Sequence, residues 1–189
     1  PFVTHAFLSS LEEAGCVGGR TGWTPLHLTV RDEAGRLQAA APCYAKSHSM
    51  GEYVFDGGWA EAYERAGGRY YPKLQVSVPF TPVSGPRLLL RPDAPEEARD
   101  SLIDGLKALR NRIGASSTHV TFAGTSDVQA LERAGYLLRT DKQFHWLNDD
   151  YGSFDGFLSA LSSRKRKTIR KERERAQAFS LDQAVDSYA

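Results

Sequence analysis

The fold is decided by residues 95–114, which read PEEARDSLIDGLKALRNRIG. Pro95 and the two glutamates after it favour a helix start, because proline lacks an N–H that this position leaves unpaired and acids complement the helix dipole. Apolar residues then recur at helical spacing, and Gly114 is a typical helix end. The segment predicts a long helix that buries one stripe, formed by Leu102, Ile103, Leu106, Leu109 and Ile113.

The segments on either side of this helix alternate between strand and helix patterns. Downstream, the patterns predict a strand at 118–122, a helix at 127–134 and a strand at 136–146. Upstream, the turn DEAG at 32–35 joins two strand patterns, 23–31 and 36–46, into an antiparallel hairpin. Short helices are predicted at 4–14 and 59–66, and strands at 74–78 and 88–90. This order predicts an α/β fold with one mixed sheet.

Composition excludes several classes of protein. The chain has 189 residues, of which 41% are hydrophobic and 11% aromatic, so it can bury a core and is not a disordered protein. Its apolar runs are only a few residues long, which excludes a membrane-spanning helix. Cys16 and Cys43 lie far apart, and the five histidines are scattered without metal-ligand spacing. We therefore expect no disulfide framework, no metal site, and reduced thiols in a cytoplasmic protein.

A strongly basic run lies near the end of the chain, at residues 164–175. It has eight basic residues and two acids, a local charge of +6 in a chain of net charge +1. Helical spacing places seven of the eight basic residues, all except Lys165, on one broad arc, which predicts a basic helix that binds phosphate groups. The alternative is a solvated surface helix, and the pattern alone leaves both open. The predicted phosphate-binding residues are Arg164, Arg166, Lys167, Arg170 and Lys171.

The segment from 46 to 85 combines aromatic rings with charged side chains and predicts a ligand-binding loop. Glu52 and Asp56 are the weak candidates for a catalytic base, which requires burial to raise the carboxyl pKa. His48 lies between two serines, but a structural role is favoured; His119 and His145 are expected at the edge of the core. The predicted ligand-binding residues are Lys46, His48, Tyr53, Trp59, Tyr70, Tyr71 and Lys73.

Several blocks of sequence resemble those of the bacterial FemAB-like family of peptidoglycan biosynthesis or recognition proteins, within the GNAT acyltransferase superfamily. The blocks are KSHSMGEYVFD at 46–56, GRYYPKL at 68–74, VPFTPVSGPR at 78–87, LERAGY at 131–136, QFHW at 143–146 and FDGFLSALSSRKRK at 154–167. The resemblance covers most of the chain up to about Arg175. It implies a GNAT-like acyltransferase fold with a C-terminal basic helix.

The resemblance also implies how the chain is organised and what it does. Residues 1–150 would be the first GNAT-like half of a tandem pair, and 151–189 a helical segment entering a second half that this chain lacks. The full-length protein would transfer an acyl or aminoacyl group to an amine of a cell-wall precursor, with acyl-CoA or aminoacyl-tRNA as donor. This fragment alone would be inactive, and its cut faces could pair in a homodimer.

The turn RPDAPE at 91–96 is where a GNAT domain would hold the CoA pyrophosphate on backbone N–H groups. Two prolines without N–H groups and nearby acids argue against CoA binding, so no cofactor is expected in this fragment. Two alternatives to a transferase remain open. One is a non-catalytic recognition module for peptidoglycan-type or other anionic ligands, and the other is nucleic-acid binding through the basic helix.

Overall fold

The computed structural model describes residues 2–177 and divides the chain into two compact units, Pro1–Arg139 and Thr140–Ala189. The helices of the described residues are α1 His5–Glu13, α2 Gly57–Arg65, α3 Glu97–Arg112, α4 Thr125–Arg133, α5 Phe154–Ala160 and α6 Ser163–Gln177. The strands are β1 Trp23–Pro25, β2 Leu28–Arg31, β3 Leu37–Ala41, β4 Cys43–Lys46, β5 Lys73–Val76, β6 Leu89–Leu90 and β7 Thr118–Val120. The α/β class predicted from the sequence is confirmed.

The strands of the first unit form two sheets, one with the order β1-β4-β5-β7 and one with the order β2-β3-β6, so the prediction of one mixed sheet is wrong in the number of sheets. Only the β5–β7 pair is parallel, so the four-stranded sheet is mixed. The predicted hairpin is present, but each of its long arms is divided between the two sheets. Pro42 lies between β3 and β4, and because proline has no N–H to donate to a sheet, it favours a break at this point.

Helix α3 supplies the core of the first unit, as its sequence predicts. Ala98, Leu102, Ile103, Leu106 and Leu109 are its buried residues. They belong to one cluster with Leu74 and Val76 of β5 and with Ala39 and Ala41 of β3. Ile113, the last residue of the predicted stripe, is only partly buried against this cluster. The helix therefore covers one face of the sheets. The opposite face of the four-stranded sheet does not contact this helix.

The strand predicted at 136–146 is wrong. Residues 137–150 are neither helix nor strand, and the Leu137 and Phe144 side chains are 97% and 98% exposed. An alternating segment becomes a strand only when another strand pairs with it, and within the described residues none does. The expectation that His145 lies at the core edge is also wrong, since His145 is exposed.

The second unit contains the short helix α5 and the basic helix α6. The boundary between the two compact units lies at Arg139. The GNAT-like domain expected over residues 1–150 stays a prediction. The end of the predicted helical segment, residues 178–189, lies outside the described residues. No helix in the part of the chain that the structure describes is long and apolar enough to cross a membrane.

Replacing Leu106 with alanine tests the role of α3. Leu106 has no exposed surface, so we expect Leu106→Ala to lower the free energy of unfolding by roughly 2–5 kcal/mol. Leu137→Ala is the matched control, because the Leu137 side chain is 97% exposed and its loss should change stability by less than about 0.5 kcal/mol. Urea unfolding followed by circular dichroism measures both variants. Equal effects would contradict the assignment of α3 to the core.

Candidate functional site

The four-stranded sheet has one apolar face and one polar face. Along β5, Leu74 and Val76 join the core with α3, so Lys73 and Gln75 lie on the opposite face because side chains alternate along a strand. The register places Lys46 of β4 beside Lys73, and Tyr44 and His119 beside Gln75. We call this face the polar face; its residues are Trp23, Tyr44, Lys46, Lys73, Gln75 and His119.

Lys73 is the centre of a buried ionic cluster on the polar face. Its Nζ donates hydrogen bonds to Ser49 Oγ at 2.7 Å, to Glu52 Oε2 at 2.7 Å and to Asp56 Oδ2 at 2.5 Å. These three bonds use all the N–H groups of the ammonium. Tyr70 donates a further hydrogen bond from its hydroxyl to Asp56 Oδ2 at 2.8 Å. The cluster therefore ties the segment that follows β4 to the middle of the sheet.

Lys46 lies beside this cluster in a less polar environment. Its Nζ is 3.5 Å from the centre of the Trp23 ring and donates a hydrogen bond to the carbonyl of Met50 at 3.2 Å. Glu52 Oε1 is 3.8 Å from Lys46 Nζ, which is an ion pair beyond hydrogen-bond distance. Burial lowers the pKa of Lys46 to about 8, and the charge of Glu52 only partly opposes this effect. Lys46 is therefore a buried amine that can lose its proton at mildly alkaline pH.

The two carboxylates of the cluster differ in their protonation. Burial raises the pKa of Glu52 above its ordinary value, although the Lys73 charge opposes this shift. Burial is the largest single influence on Asp56 and acts to raise its pKa, but the hydrogen bonds and charge of Lys73, with hydrogen bonds from Ser49 and Tyr70, together outweigh burial and the net pKa is lowered. Glu52 Oε1 and Asp56 Oδ1 are buried and accept no hydrogen bond from any described residue. Both carboxylates thus retain an acceptor for a further donor.

His119 of β7 was missed as a site residue. Its Nε2 is 2.8 Å from Ser117 Oγ, and its ring packs against Tyr70 with the ring centres 6.2 Å apart. Burial, with the positive charge of Lys73, lowers the pKa of His119 to about 4, so its imidazole is neutral at physiological pH. The sequence correctly placed His119 at the core edge; its position beside Gln75 depends on strand pairing, which no local pattern reveals.

Residues 47–72 lie over the polar face, and we call them the covering segment. Gly51 has a φ of +79° and lies so close to Phe80 that a Cβ atom there would be 2.6 Å from Phe80 Cδ1. Only glycine suits both the conformation and the space. Phe80 in turn packs on Trp23, with ring centres 5.5 Å apart. Gly51 therefore lets the chain between Met50 and Glu52 approach Lys46 and Trp23 closely.

The structure brings together five of the residues selected from the sequence, namely Lys46, Glu52, Asp56, Tyr70 and Lys73. Tyr71 adjoins them, since its hydroxyl is 2.8 Å from Ser49 Oγ. Tyr53 and Trp59 are instead exposed, by 55% and 67%. His48 Nε2 is 3.0 Å from the carbonyl of Thr21, and its Nδ1 accepts from the Met50 N–H, so His48 has the structural role that the sequence favoured.

The predicted phosphate-binding residues lie on α6, in the second unit. Arg166 is partly buried and donates a hydrogen bond to the carbonyl of Leu161 at 3.0 Å. The other four side chains are exposed: Arg164, Lys167, Arg170 and Lys171. In the part of the chain described, no three His, Cys, Asp or Glu side chains form a group that could hold a metal ion.

Comparison with known proteins gives one match. The model of the FemAB-like family, described as peptidoglycan biosynthesis/recognition, matches residues 1–186. This family is consistent with the GNAT-like fold that the sequence predicts. Neither a curated protein nor a solved structure matches the chain.

The pKa of Lys46 predicts a dependence of stability on pH. The folded pKa of about 8 lies below the ordinary value of 10.5, so between these values the unfolded chain binds more protons at this residue. The free energy of unfolding of the wild type, measured relative to that of Lys46→Met, should therefore rise with pH across this window by an amount on the order of 3 kcal/mol. Urea unfolding at pH 7.5, 9 and 10.5 measures the difference. Lys107→Met, at an exposed lysine, is the control. The difference in free energy of unfolding between wild type and this variant should not change with pH in the same window.

Proposed function

The chain belongs to the FemAB-like family of peptidoglycan biosynthesis and recognition, and we propose that its first unit binds a peptidoglycan precursor at the polar face as the acceptor of an acyl or aminoacyl group. The observation that carries this proposal is the pair Glu52 and Asp56, each fixed by Lys73 through one oxygen and free of hydrogen bonds from described residues at the other. An amine of the precursor's stem peptide is the group we assign to these oxygens.

The chemistry of the two oxygens supports an amine as ligand. A buried acceptor without a donor costs about 1–3 kcal/mol, and a group that supplies the donor recovers this energy. A protonated amine has three donors and no acceptor, so it matches two carboxylate oxygens and is repelled by neither. A phosphate or a carboxylate would instead face both carboxylates. The cluster therefore favours a cationic nitrogen over an anionic ligand.

Glu52 has the protonation behaviour that acyl transfer to an amine requires. The amine must lose a proton to become a nucleophile, and burial raises the pKa of Glu52 so that it is a better proton acceptor than an exposed glutamate. The amine nitrogen then forms a bond with the acyl carbon of an activated ester, and the bond from that carbon to the leaving group breaks. As the amide forms, its nitrogen loses a second proton to solvent, and the proton taken by Glu52 passes to the leaving group. In this proposal Glu52 is the base, and Asp56 orients the amine.

Access to the cluster requires the covering segment to move, because Glu52 and Asp56 are only 4% and 1% exposed. The outside of the same segment presents the rings of Tyr53, Trp59 and Tyr63, which are all exposed. Aromatic rings of this kind stack on sugars, and the precursor carries sugars next to its peptide. Binding of the sugar to these rings would thus occur on the segment that opens the way to Glu52.

The turn at 91–96 argues against acyl-CoA as a donor. It therefore favours a second candidate function, in which the unit recognises the precursor without transferring a group to it. Pro92 and Pro95 have no N–H for a pyrophosphate, and the Arg91 side chain is held by Asp93, with Nε 2.5 Å from Oδ1. Glu96 and Glu97 add negative charge at the start of α3. We propose that this unit does not bind acyl-CoA, so a donor for transfer would be an aminoacyl-tRNA or another activated ester.

Binding of a soluble muramyl pentapeptide with a free side-chain amine tests the acceptor site. We expect Glu52→Gln to weaken binding to the full chain at least about 10-fold, because the amine loses a charged partner. Acetylation of the peptide amine should weaken binding to wild type by a similar factor. Calorimetry measures both, and Glu61→Gln, at an exposed residue of α2, is the control that should bind like wild type. Equal affinity for free and acetylated peptide would exclude the proposed site.

Acetyl-CoA tests the interpretation of the 91–96 turn. We expect no measurable heat of binding with acetyl-CoA at up to about 1 mM, since the turn lacks the N–H groups that a pyrophosphate needs. A dissociation constant in the micromolar range would contradict this interpretation. The muramyl peptide serves as the positive control in the same calorimeter.

A further inference from the structure

Helix α6 carries a dense run of exposed positive charge. Residues 164–175 include eight basic and two acidic residues. Among the described residues, no ion pair joins any of these cations to a carboxylate. The repulsion between like charges one turn apart is unfavourable, and an anionic partner would relieve it. The exposed cations of the helix are Arg164, Lys165, Lys167, Arg170, Lys171, Arg173 and Arg175.

An aromatic cluster of the second unit adjoins this charge. Trp146, Tyr151 and Phe157 contact one another, with ring centres 5.4–6.2 Å apart, and Phe154 packs on Phe157. The guanidinium of Arg173 lies 4.2 Å from the centre of the Phe154 ring, which connects the cluster directly to α6. Trp146 remains 65% exposed and Phe154 41% exposed.

The segment that leads into the cluster is also apolar and exposed. Phe144 is 98% exposed and Leu147 is 76% exposed, on either side of Trp146. Large apolar side chains with this exposure are costly in water when they occur together. We define the docking surface as the exposed cations of α6 with Phe144, Trp146, Leu147 and Phe154.

We propose that the docking surface binds the interface of an anionic lipid bilayer. Tryptophan and phenylalanine are suited to the headgroup region, where the ring enters the apolar layer beside polar groups. Clustered lysines and arginines are attracted to anionic lipids, and each contributes separately to binding. Stable attachment to a membrane generally takes two signals. The docking surface has two, clustered positive charge and exposed apolar side chains, and the contact of Arg173 with Phe154 connects them. This proposal does not depend on the function proposed for the first unit.

A bilayer explains the surface better than a nucleic acid does. Proteins that bind single strands stack bases on aromatic rings along a basic groove, and an exposed leucine such as Leu147 gains nothing from stacking. A bilayer buries rings and aliphatic side chains alike. Four acids precede α6 in this unit, namely Asp141, Asp149, Asp150 and Asp155. Because these acids repel an anionic partner, the partner is attracted only where α6 itself faces it. A flat anionic surface can meet the cations of one side of the helix together, namely Lys167, Arg170 and Lys171, which helical spacing places within about 100° of one another.

Vesicle flotation of the full chain tests the proposal. We expect binding to vesicles of phosphatidylcholine with 30% phosphatidylglycerol in 50 mM salt, release at 0.5 M salt, and no binding to pure phosphatidylcholine. The triple variant K167E/R170E/K171E should reduce partitioning by about 100-fold or more, because each cation near an anionic surface contributes about a factor of five. The control K107E/R110E/R112E makes the same charge change on exposed residues of α3 and should retain binding.

Quenching by brominated lipid locates the contact. Trp146 should be quenched on binding, Trp146→Phe should remove most of this quenching, and Trp59→Phe, at an exposed residue of the first unit, should preserve it. Circular dichroism confirms that each variant keeps its helix content, and K167Q/R170Q/K171Q replaces the triple variant if it does not. The proposal would be overturned by equal binding to neutral and anionic vesicles, or by no binding to either. It would also be overturned if the control K107E/R110E/R112E lost as much binding as the α6 triple variant. So would a single-stranded oligonucleotide that binds α6 and displaces the vesicles.

Discussion

The first unit depends on the ammonium of Lys73, which is fully buried at the centre of a sheet. A buried charge is tolerated only when it is paired and hydrogen-bonded, and Lys73 has Glu52, Asp56 and Ser49 as its three acceptors. All three acceptors come from the covering segment, while Lys73 belongs to β5. Removal of one partner would leave an uncompensated buried charge. The position of the covering segment is therefore set by electrostatics as well as by apolar packing.

The cluster is balanced in charge but not in hydrogen bonds. Two lysines face two carboxylates, yet Lys73 satisfies one oxygen of each carboxylate, and Lys46 relies on the Trp23 ring and a carbonyl. The pKa of Glu52 is raised because burial outweighs the charges of Lys73 and Lys46, whereas Asp56 also accepts a hydrogen bond from Tyr70, and its partners together lower its pKa despite burial. Two similar acids thereby have pKa values shifted in opposite directions. The acyl-acceptor function that we propose uses this difference.

The sequence predicted those parts of the fold that local patterns determine. The stripe of α3 and the turn at 32–35 each depend on nearby residues, and both are present. The polar face could not be predicted, because a lysine in an alternating strand ordinarily points to solvent and only the covering segment buries Lys73. The strand expected at 136–146 was wrong for the same reason, since a strand requires a partner elsewhere in the chain. Nonlocal pairing decides both cases.

The distribution of cations explains why the two units should bind different partners. Lys46 and Lys73 have no exposed surface and are offset by Glu52 and Asp56, so they add nothing to the field outside the protein. The chain outside residues 164–175 has a net charge of −5, as the total is +1 and that run is +6. An extended anionic partner of the kind proposed for the second unit would therefore be attracted by α6. The polar face instead offers carboxylate oxygens, which suit the small cationic group that we propose as its ligand.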